Sequence, residues 1–441
     1  MSELPKGWFN SELCDVAEVV SGNAFKSKDF VENGIPVVKI SNVQSGEYIE
    51  KNQEYLPESF NNKDNSRFIV TYNDLLIALT RPIVSNKLKV CTYPNKSQVG
   101  LLNQRVARLD VNEGFSKRFL HYYLSSKEFR ESVQASMSET LQPNLSPKSL
   151  SKINIACPPL AEQQRIVDKL DEVLAQVDTI KARLDGIPAI LKRFRQSVLA
   201  SAVSGKLTEE WRGQNDSIGF ELSEFAEFWA SEYSKAGKKY SAAKVTEDSQ
   251  VSSILPNSWL NTCVGKIFDV HVGATPSRKD PMYWEGDIPW VSSGEVAFSL
   301  ITETNEKITE SGLLNSSTKI HPCGTVMLAM IGQGKTRGQP AILRIEAAHN
   351  QNTAALRVPE GMCVSEFLYY CLWEKYEETR RVGSGNNQKA LNKSAVQNLH
   401  FPCPPYNEQK EIVRLVDQYF AFADTIEAQV KKAQARVDKL T

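Results

Sequence analysis

The stretch CPPLAEQQRIVDKLDEVLAQVDTI runs from Cys157 to Ile180, and CPPYNEQKEIVRLVDQYFAFADTI runs from Cys403 to Ile426. The two copies begin 403 − 157 = 246 residues apart in a chain of 441 residues. In each copy Pro-Pro ends an apolar segment, and a Glu follows where a helix N-terminus favours an acidic side chain. A repeat of this length predicts two copies of one module, each followed by a long helix.

The repeat extends beyond these helices, because short anchor motifs recur in the same order in both halves of the chain. The stretches between the anchors share little, which indicates a common framework with divergent inserts. The anchors pair Leu4–Trp8 with Leu255–Trp259, Ile35–Val38 with Ile288–Val291, Asn103 and Gln104 with Asn350 and Gln351, and Gln142 and Leu145 with Gln388 and Leu391.

Each half mixes strand-like apolar runs with short helical segments, and this mixture predicts α+β modules. Strands are predicted at Ile35–Ile40, Leu75–Leu79, Lys87–Cys91, Ile153–Ala156, Val326–Ala329, Ala341–Ile345 and Ala354–Val358. Short helices are predicted at Ser116–Ser125, Glu221–Tyr233 and Val364–Arg380, and a polar linker at Ser234–Ser253.

The predicted fold class is therefore α+β, with two modules joined and spaced by two long helices in a pseudo-two-fold internal repeat. The first module takes residues 1–156, and the first helical spacer takes 157–204. A connector with a short helix and a flexible linker covers 205–254, the second module 255–402, and the second helix 403–441.

Each long helix carries one apolar stripe with alternating steps of four and three residues, as in a heptad seam. Such a stripe packs either on its own module or on the other helix. We favour an antiparallel helix-on-helix coiled coil, because the seam is longer than one small module covers. Gly186 and Pro188 predict a break or kink in the first helix. The seam positions are Ile166, Leu170, Val173, Val177, Ile180 and Leu184 in the first helix, and Ile412, Val416, Tyr419, Ala423, Ile426 and Val430 in the second.

Composition narrows the class of function. Apolar residues make up 41% of the chain, charged residues 24%, and the formal net charge is zero, so any nucleic-acid surface must be a local patch. The eight cysteines contain no C-x-x-C pair and the five histidines no ligand-spaced cluster, which disfavours a zinc site. The start MSELPKGW lacks an apolar signal core, so we expect a cytoplasmic protein.

The repeated motifs resemble those of the specificity (S) subunits of type I restriction–modification systems. The motifs that carry the resemblance are the two quoted stretches, the block Leu191–Arg212, and Gly273–Val296. The resemblance implies two target-recognition domains that each read half of a bipartite double-stranded DNA site. It also implies helices that act as a spacer and as the docking surface for methyltransferase (M) subunits.

By the same resemblance, two M subunits and two restriction (R) subunits are the expected partners. The chain itself would hold no catalytic residue, metal or cofactor. S-adenosylmethionine would bind to the M subunit, which methylates adenine, whereas ATP and magnesium would serve the R subunit. A protein–protein scaffold with two modules and no DNA base readout remains the alternative.

Two basic, amide-containing loops lie at equivalent places in the two modules, between strand-like runs. Arg and Lys side chains can bond to guanine, and Asn or Gln to adenine, although such loops are also common on solvated surfaces. Residues after the matched Ile-Pro strands and one basic tripeptide are further candidates, and the tripeptide could equally contact phosphates. The candidates are Arg81, Ser85, Asn86, Lys87 and Lys89, with Ser41 and Asn42, in the first module, and Gln333, Lys335, Arg337 and Gln339, with Ser277, Arg278, Lys279, Ser292 and Ser293, in the second.

Two motifs that suggest an enzyme fail on context. Ala329–Thr336 fits a relaxed phosphate-loop pattern, but a strand-like run follows where a helix is needed. Cys403–Tyr406 resembles the Pro-Pro-Tyr motif of amino-methyltransferases, but cysteine has no amide or carboxylate to hold a target amino group.

The repeat also bears on the end of the chain. In the 246-residue register Arg195 matches Thr441, and the first copy continues through Gln196–Arg212. The symmetry therefore predicts a second tail of this kind in a longer form of the protein.

Overall fold

The structure is a computed structural model, and it describes residues 4–138, 143–215, 218–245, 255–332, 335–381 and 391–439. The chain divides into two compact units, unit 1 (Met1–Ile180) and unit 2 (Lys181–Leu440). No helix within the described ranges is both long and apolar enough to cross a membrane.

Among its described residues, unit 1 contains twelve strands and four short helices, and a long fifth helix begins in it. The strands are β1 (Phe9–Glu12), β2 (Ala17–Ser21), β3 (Ile35–Val38), β4 (Tyr55–Leu56), β5 (Ile69–Val70), β6 (Leu75–Ala78), β7 (Ile83–Val84), β8 (Lys87–Leu88), β9 (Val90–Thr92), β10 (Gly100–Leu102), β11 (Val106–Val111) and β12 (Asn154–Cys157). The helices are α1 (Leu13–Val16), α2 (Lys117–Leu124), α3 (Lys127–Ser136), α4 (Pro147–Ser151) and α5 (Leu160–Val203).

Unit 2 contains the remaining strands and helices of the described residues. The strands are β13 (Leu260–Cys263), β14 (Asp269–Val272), β15 (Trp284–Val291), β16 (Ser299–Ile301), β17 (Glu306–Ile308), β18 (Val326–Ala329), β19 (Pro340–Leu343), β20 (Ala348–His349), β21 (Thr353–Arg357) and β22 (His400–Cys403). The helices are α6 (Glu209–Gln214), α7 (Leu222–Lys235), α8 (Val264–Ile267), α9 (Glu310–Leu314), α10 (Ser365–Glu374), α11 (Tyr376–Arg381), α12 (Lys393–Gln397) and α13 (Tyr406–Val437).

The two units share the core of one sheet topology, with an additional edge strand, β16, in one sheet of unit 2 and β5 in one sheet of unit 1. Unit 1 has the sheets β2-β11-β6-β9 and β4-β3-β10-β5 and the pair β1-β12. Unit 2 has β14-β21-β18-β19-β16, β17-β15-β20 and the pair β13-β22. In both units the strand with the Ile-Pro anchor runs parallel to the strand that precedes the Asn-Gln anchor. The internal repeat and the α+β fold are thereby confirmed.

In each unit, one inner strand is buried on both faces. This strand is β6 in the sheet β2-β11-β6-β9 of unit 1 and β18 in the five-stranded sheet of unit 2. In β6, Leu75 and Ile77 join the helices α2 and α3 in one core, whereas Leu76 and Ala78 join the second sheet in another. A strand covered on both faces is apolar throughout, which is why these runs stand out in the sequence. The equivalent residues of β18 are Val326 and Leu328 on one face and Met327 and Ala329 on the other.

Most predicted elements are confirmed with small changes of boundary. The predicted strand Lys87–Cys91 is two strands, β8 and β9, and the predicted helix Val364–Arg380 is two helices, α10 and α11. Within the predicted linker Ser234–Ser253, the described residues after α7 form no helix or strand, and the others lie outside the described ranges.

A glutamine fixes the start of α5 to unit 1. Gln163 is buried, and its Nε2 donates to the Pro158 carbonyl at 2.8 Å. Its Oε1 accepts from the backbone N–H of Ser116, the N-cap of α2, at 2.8 Å. One side chain therefore satisfies groups from the Pro-Pro segment and from a neighbouring helix start, groups that burial would otherwise leave unpaired.

Gln409 makes the same connection in unit 2. It is fully buried, donates through Nε2 to the Pro404 carbonyl at 2.9 Å, and accepts from the Val364 N–H at 2.9 Å. Val364 is the N-cap of α10, as Ser116 is of α2. The conserved spacing of the quoted repeat therefore places one amide at one structural junction in both units.

The predicted break at Gly186–Pro188 is wrong, because α5 continues as a helix from Leu160 to Val203 with Pro188 inside it. Proline in a helix interior removes one hydrogen bond and usually costs about 3 kcal/mol. Contacts to α13 lie on both sides of this position, from Asp185 and from Arg195. We infer that these contacts hold the segment helical.

The part of α5 within unit 2 packs antiparallel to α13. Lys181 pairs with Asp438 at 3.1 Å, and Asp185 accepts from Gln434 at 2.9 Å. Further along, Arg195 pairs with Asp424 at 2.5 Å. Residue numbers rise on one helix as they fall on the other, which is the antiparallel arrangement that the seam predicts.

The seam positions divide between the two alternatives. Ile412 and Val416 lie in the core of unit 2 with β18 and α10, so the start of α13 packs on its own module. Ala423 and Val430, further along α13, are buried, and Ile426 is half-buried. The remaining positions are Ile166, Leu170 and Leu184, which are half-buried, Val177, which is buried, and Val173, Ile180 and Tyr419, which are 40%, 47% and 40% exposed.

Replacing Gln409 by leucine should destabilise unit 2. The change leaves the Val364 N–H and the Pro404 carbonyl without their partner, and each buried unpaired group costs about 1–3 kcal/mol. Urea unfolding should show a clear loss of stability. Gln429→Leu, at an exposed position of the same helix, is the control and should change stability by less than about 0.5 kcal/mol. Equal effects of the two changes would contradict the role of Gln409.

Three histidine rings lie in contact inside unit 2. The His321 ring lies 5.2 Å from His271 and 5.0 Å from His349, centroid to centroid. His349 bonds to Thr353 at 2.8 Å, whereas neither nitrogen of the His321 ring has a partner among the described residues. Burial, together with a smaller contribution from the neighbouring histidines, lowers the pKa of His349 to about 4 and that of His321 to about 2.

Unit 2 should therefore lose stability in mild acid. Both rings are neutral in the folded unit, whereas in the unfolded chain they protonate near a pKa of about 6.5. The stability present above that pH is lost as the pH falls toward 4, by roughly 2 kcal/mol per ring at pH 5. Urea unfolding at pH 7 and pH 5 measures this loss. In His321→Phe the loss should be smaller, and an unchanged loss would contradict the assignment.

Candidate nucleic-acid interface

The first candidate loop of unit 1 is a hairpin formed by β7 and β8. Val84 pairs with Lys87 across a two-residue turn. Both turn residues have positive φ, 49° at Ser85 and 61° at Asn86, which is the type I′ geometry that short hairpins favour. The turn projects Ser85, Asn86 and Lys87, and all three are exposed.

The base of this hairpin is fastened to the rest of unit 1. Arg81 also has a positive φ, 47°, and its N–H donates to the Pro143 carbonyl at 2.9 Å. Arg81 is exposed, although this hydrogen bond anchors its backbone. Non-glycine residues in this conformation are uncommon and often mark functional sites.

Lys89 has a structural role in this loop. Its Nζ donates to the Ile40 carbonyl at 3.0 Å, and burial lowers the pKa of the ammonium group. The bond joins the hairpin to the loop that follows β3, which contains Ile40, Ser41 and Asn42. Two of the predicted candidate segments therefore lie side by side in unit 1.

Ser41 and Asn42 differ in what they can contact. Ser41 is exposed, whereas Asn42 is almost completely buried. The side-chain oxygen Oδ1 of Asn42 accepts from the Lys39 N–H at 2.8 Å, and its side-chain Nδ2 donates to the Ile49 carbonyl at 2.8 Å. Asn42 closes the turn after β3, and in this structure its amide does not face solvent.

Unit 2 closes the equivalent turn with a carboxylate. Glu295 accepts from the N–H and the hydroxyl of Ser292, both at 2.7 Å, and from the N–H of Asn305 at 2.8 Å. Ser293 is half-buried beside it. The candidate Ser292 is therefore occupied in shaping the loop, as Asn42 is in unit 1.

The basic loop of unit 2 lies against α11. The Lys335 carbonyl accepts from the Tyr376 hydroxyl at 2.5 Å, and Arg337 Nη2 donates to the Arg380 carbonyl at 2.5 Å. Lys335 is exposed, whereas Arg337 and Gln339 are half-buried. Gln333 lies outside the described residues, and β19 follows the loop where a phosphate loop would need a helix.

The loop after β15 bonds to the start of β19, directly after this basic loop. Phe298 has a positive φ of 54°, and its N–H donates to the carbonyl of Pro340, the first residue of β19, at 2.9 Å. In each unit, therefore, the loop after the Ile-Pro strand is hydrogen-bonded to a residue at or directly after the end of the basic loop. The sequence could not show this junction, because its partners are distant in the chain.

Arg278 is part of an aromatic cluster that the sequence analysis missed. Its guanidinium lies 3.7 Å from the ring centre of Trp284 and bonds to Glu306 at 2.9 Å. The bond raises the pKa of Arg278 and lowers the pKa of the Glu306 carboxyl. Ser277 accepts from the Trp284 indole through its carbonyl at 3.2 Å, and Lys279 is exposed.

Unit 1 carries a similar arrangement with different residues. Lys39 pairs with Glu54 and lies 4.5 Å from the ring centre of Phe30. In both units the cation lies over an aromatic ring and pairs with a glutamate from a neighbouring segment. Trp284 and Trp290, both within Gly273–Val296, were an available signal, since a basic tripeptide close to tryptophan allows a cation–π contact.

Two modules of one fold, with loops that differ in sequence but occupy equivalent places, define a two-module recognition protein. The family model of the type I restriction modification DNA specificity domain matches residues 5–189 and 256–434. The two matches fall on the two modules and on most of their long helices. The chain therefore belongs to the type I restriction modification DNA specificity family.

Individual relatives agree with this assignment. The chain is 30% identical over 451 residues to the specificity subunit of the type I restriction enzyme EcoBI from Escherichia coli, over 98% of this chain and 84% of that protein. It is 28% identical over 452 residues to the EcoKI specificity subunit of Escherichia coli strain K12, over 100% of this chain and 88% of that protein. The HsdS subunit from Thermoanaerobacter tengcongensis shares the fold, with a TM-score of 0.62 and 19% identity over 99% of this chain and 97% of that one.

Proposed function

We propose that each unit reads one half of a bipartite double-stranded DNA target through its paired loops. The chain is the sequence-specific DNA-recognition component of a type I restriction–modification system, and not its enzyme. The observation that carries the proposal is the recurrence of two joined polar loops at equivalent places in two modules of one fold. We propose domains at 1–156 and 255–402, spacers at 157–204 and 403–441, and a connector at 205–254.

Within unit 1, the exposed hairpin is the strongest candidate for base contacts. Arg81, Asn86 and Lys87 provide the donor and acceptor groups that distinguish base pairs in the major groove, and Ser85 shares the tip. Ser41 lies on the adjoining loop. Lys89 and Asn42 stabilise the loops through hydrogen bonds within unit 1, and we assign neither to a base contact.

Within unit 2, Lys335 and the half-buried Gln339 are the candidates in the basic loop. Arg337 positions that loop on α11. The stacked Arg278 and the exposed Lys279 lie on another loop, and their charge suits contacts to phosphates, which orient a protein on DNA without specifying sequence.

The long helices have a second proposed role, the recruitment of partners. We propose that α5 and α13 dock two M subunits, which hold S-adenosylmethionine, and that two R subunits, which use ATP and magnesium, join that core. The complex would act on DNA in the cytoplasm. Exposed apolar side chains on α13, such as Tyr419 and Phe422, favour a protein partner there.

The alternative is a protein scaffold without base readout, and DNA binding separates the two. A gel shift with random duplexes, with and without an M subunit and over a range of salt, tests the primary proposal. Binding should weaken steeply as salt rises, because phosphate contacts release counterions. Methylation sequencing of DNA treated with the assembled methyltransferase should then return one bipartite motif, and methylation without any motif would refute base readout.

The two units should read their half-sites independently. Replacing Arg81 and Lys87 by alanine should relax one half of the motif, with a loss of about 1–3 kcal/mol for each base contact removed. Lys335→Ala should relax the other half. Methylation sequencing of each variant measures both halves at once.

The matched control removes the same charge from helices of unit 1, through Lys127→Ala and Lys148→Ala. This variant should keep the motif unchanged. If the hairpin variant altered both half-sites equally, the units would not be independent readers.

The length of α5 should set the gap between the half-sites. Four residues inserted after Asp178 lengthen the helix by roughly 6 Å. The methylated motif should then acquire a longer gap, or methylation should cease. Insertion of the same four residues after Ala243, in the connector, leaves α5 unchanged and should preserve the gap. If the helix variant kept the original gap, the length of α5 would not set the distance between the half-sites.

A further inference from the structure

Phe298, in the loop after β15, has a backbone conformation that bulky residues rarely adopt. Its φ is 54°, in the left-handed region, where a Cβ crowds the backbone and glycine is the usual residue. The residue is only half-buried, so burial of the ring in a core does not account for the choice of phenylalanine. Non-glycine residues held in this region often mark functional positions. The ring therefore has a role that glycine could not fill.

Unit 1 has a glycine at the equivalent position. Phe298 donates its N–H to the carbonyl of the first residue of β19 at 2.9 Å, and Gly46, in the loop after β3, donates to that of the first residue of β9 at 2.8 Å. These two strand residues correspond, because they lie opposite the third residue of β18 and of β6. Gly46 also has a positive φ, 77°. Both units therefore share one backbone geometry, and only unit 2 places a side chain on it.

The ring of Phe298 contacts two other aromatic rings. Its centroid lies 4.9 Å from that of Trp373, near the end of α10, and 5.0 Å from that of Tyr376, the first residue of α11. The Trp373 ring in turn contacts the ring of Phe420 on α13, with 5.3 Å between centroids. We call Phe298, Trp373 and Tyr376 the aromatic clamp. The clamp attaches the loop after β15 to three helices of unit 2.

The aromatic clamp also holds the basic loop of unit 2. The Tyr376 hydroxyl donates to the Lys335 carbonyl at 2.5 Å. A Cβ at Gly338 would collide with Thr379 Oγ1 of α11, so the backbone of the basic loop lies directly on this helix. One cluster of rings therefore positions both of the loops that are candidates for DNA contact in unit 2.

Unit 1 connects its two loops by a different contact. The Lys89 ammonium group donates to the Ile40 carbonyl at 3.0 Å and so joins the hairpin to the loop after β3. Gln339 is the equivalent residue of unit 2, because the carbonyls of Lys89 and Gln339 accept from the last residues of β6 and β18, both at 3.0 Å. Unit 2 therefore has a neutral amide in place of the connecting lysine. Its loops are connected instead through the ring of Phe298.

We propose that Phe298 is a positioning residue for DNA recognition, and that the aromatic clamp determines how strictly unit 2 discriminates its half-site. This inference rests on the proposed function, base readout by the paired loops. The clamp acts through Lys335 and the loop after β15 and touches no base itself. It orders both loops before DNA binds, so the free energy of correct base contacts is not spent on ordering them. Phosphate contacts carry no sequence information and depend less on this order.

Stacking of the Phe298 ring on a base is the competing role for a half-exposed aromatic side chain beside DNA-reading loops. The two roles predict different losses. A stacking ring contributes to the affinity for every sequence, because every base has an aromatic face. A positioning ring contributes to discrimination and leaves the affinity for random duplexes unchanged. The contacts of Phe298 with Trp373 and Tyr376 favour positioning, since a stacking ring would have to leave them.

The test removes the ring by Phe298→Gly, which keeps a backbone conformation that glycine favours. The full chain is assembled with an M subunit, and kcat/KM for methylation is measured on the recognised duplex and on duplexes with one mismatch in either half. In the half that Lys335→Ala relaxes, discrimination should fall by about tenfold, the size of one lost base contact. Discrimination in the other half and the affinity for random duplexes should not change. Hydrogen exchange in 335–339 should become faster.

Further variants separate positioning from packing. Tyr376→Phe keeps all three rings and removes only the bond to Lys335, so it should relax the same half by about fivefold, and it carries the test if Phe298→Gly does not fold. Phe298→Tyr keeps the ring contacts and should restore discrimination. Glu285→Gly is the matched control, because it makes the same backbone change at an exposed residue with a φ of 60° outside the clamp. It should leave both halves unchanged.

Three results would overturn the proposal. They are full discrimination in both halves by Phe298→Gly, an equal loss in both halves, and a loss of affinity for random duplexes, which would indicate stacking. Methylation without any motif by the wild-type assembly would instead refute base readout itself and this inference with it. The two failures are distinguishable, because the second needs no variant.

Discussion

One buried amide at the start of each long helix is the contact on which the rest of the architecture depends. Gln163 and Gln409 each bond to a proline carbonyl of their own strand end and to the N-cap amide of a helix in their own module. Both glutamine side chains are almost completely buried, so the loss of their hydrogen bonds is costly. The direction in which each long helix leaves its module is therefore fixed by two hydrogen bonds from one side chain.

This fixed junction lets the loops diverge. The framework of each unit is a sheet covered on both faces, and its packing tolerates little change. The turns after β3 and β15 are closed by different side chains, an amide at Asn42 and a carboxylate at Glu295. A loop closed by its own side chain can vary without disturbing the sheet, which is what a module that must read different targets requires.

The local distribution of charge differs from the net charge of the chain. The formal net charge of the chain is zero, yet the candidate loops carry exposed basic residues, Arg81 and Lys87 in unit 1 and Lys279 and Lys335 in unit 2. Several other cations are already paired, as Arg195 is with Asp424 and Lys181 is with Asp438. A net charge of zero therefore does not exclude a local basic surface. Whether a cation is available for DNA depends on whether a carboxylate already pairs with it.

The sequence alone determined the repeat, the α+β class and the order of modules and helices, because these follow from periodicity and from motifs that are local in the chain. It also located the candidate loops. It could not determine that Lys89 and Asn42 support the loops, or that Val173 and Ile180 face solvent, because those outcomes depend on partners far away in the chain. Pro188 shows the same limit, since local propensity predicts a break there and the contacts of α5 with α13 outweigh it. Only the tertiary structure decided that Glu408 is fully buried beneath Thr208 and Arg212 whereas Glu162 is half-buried, because residues of one type differ in burial once a distant segment covers one of them.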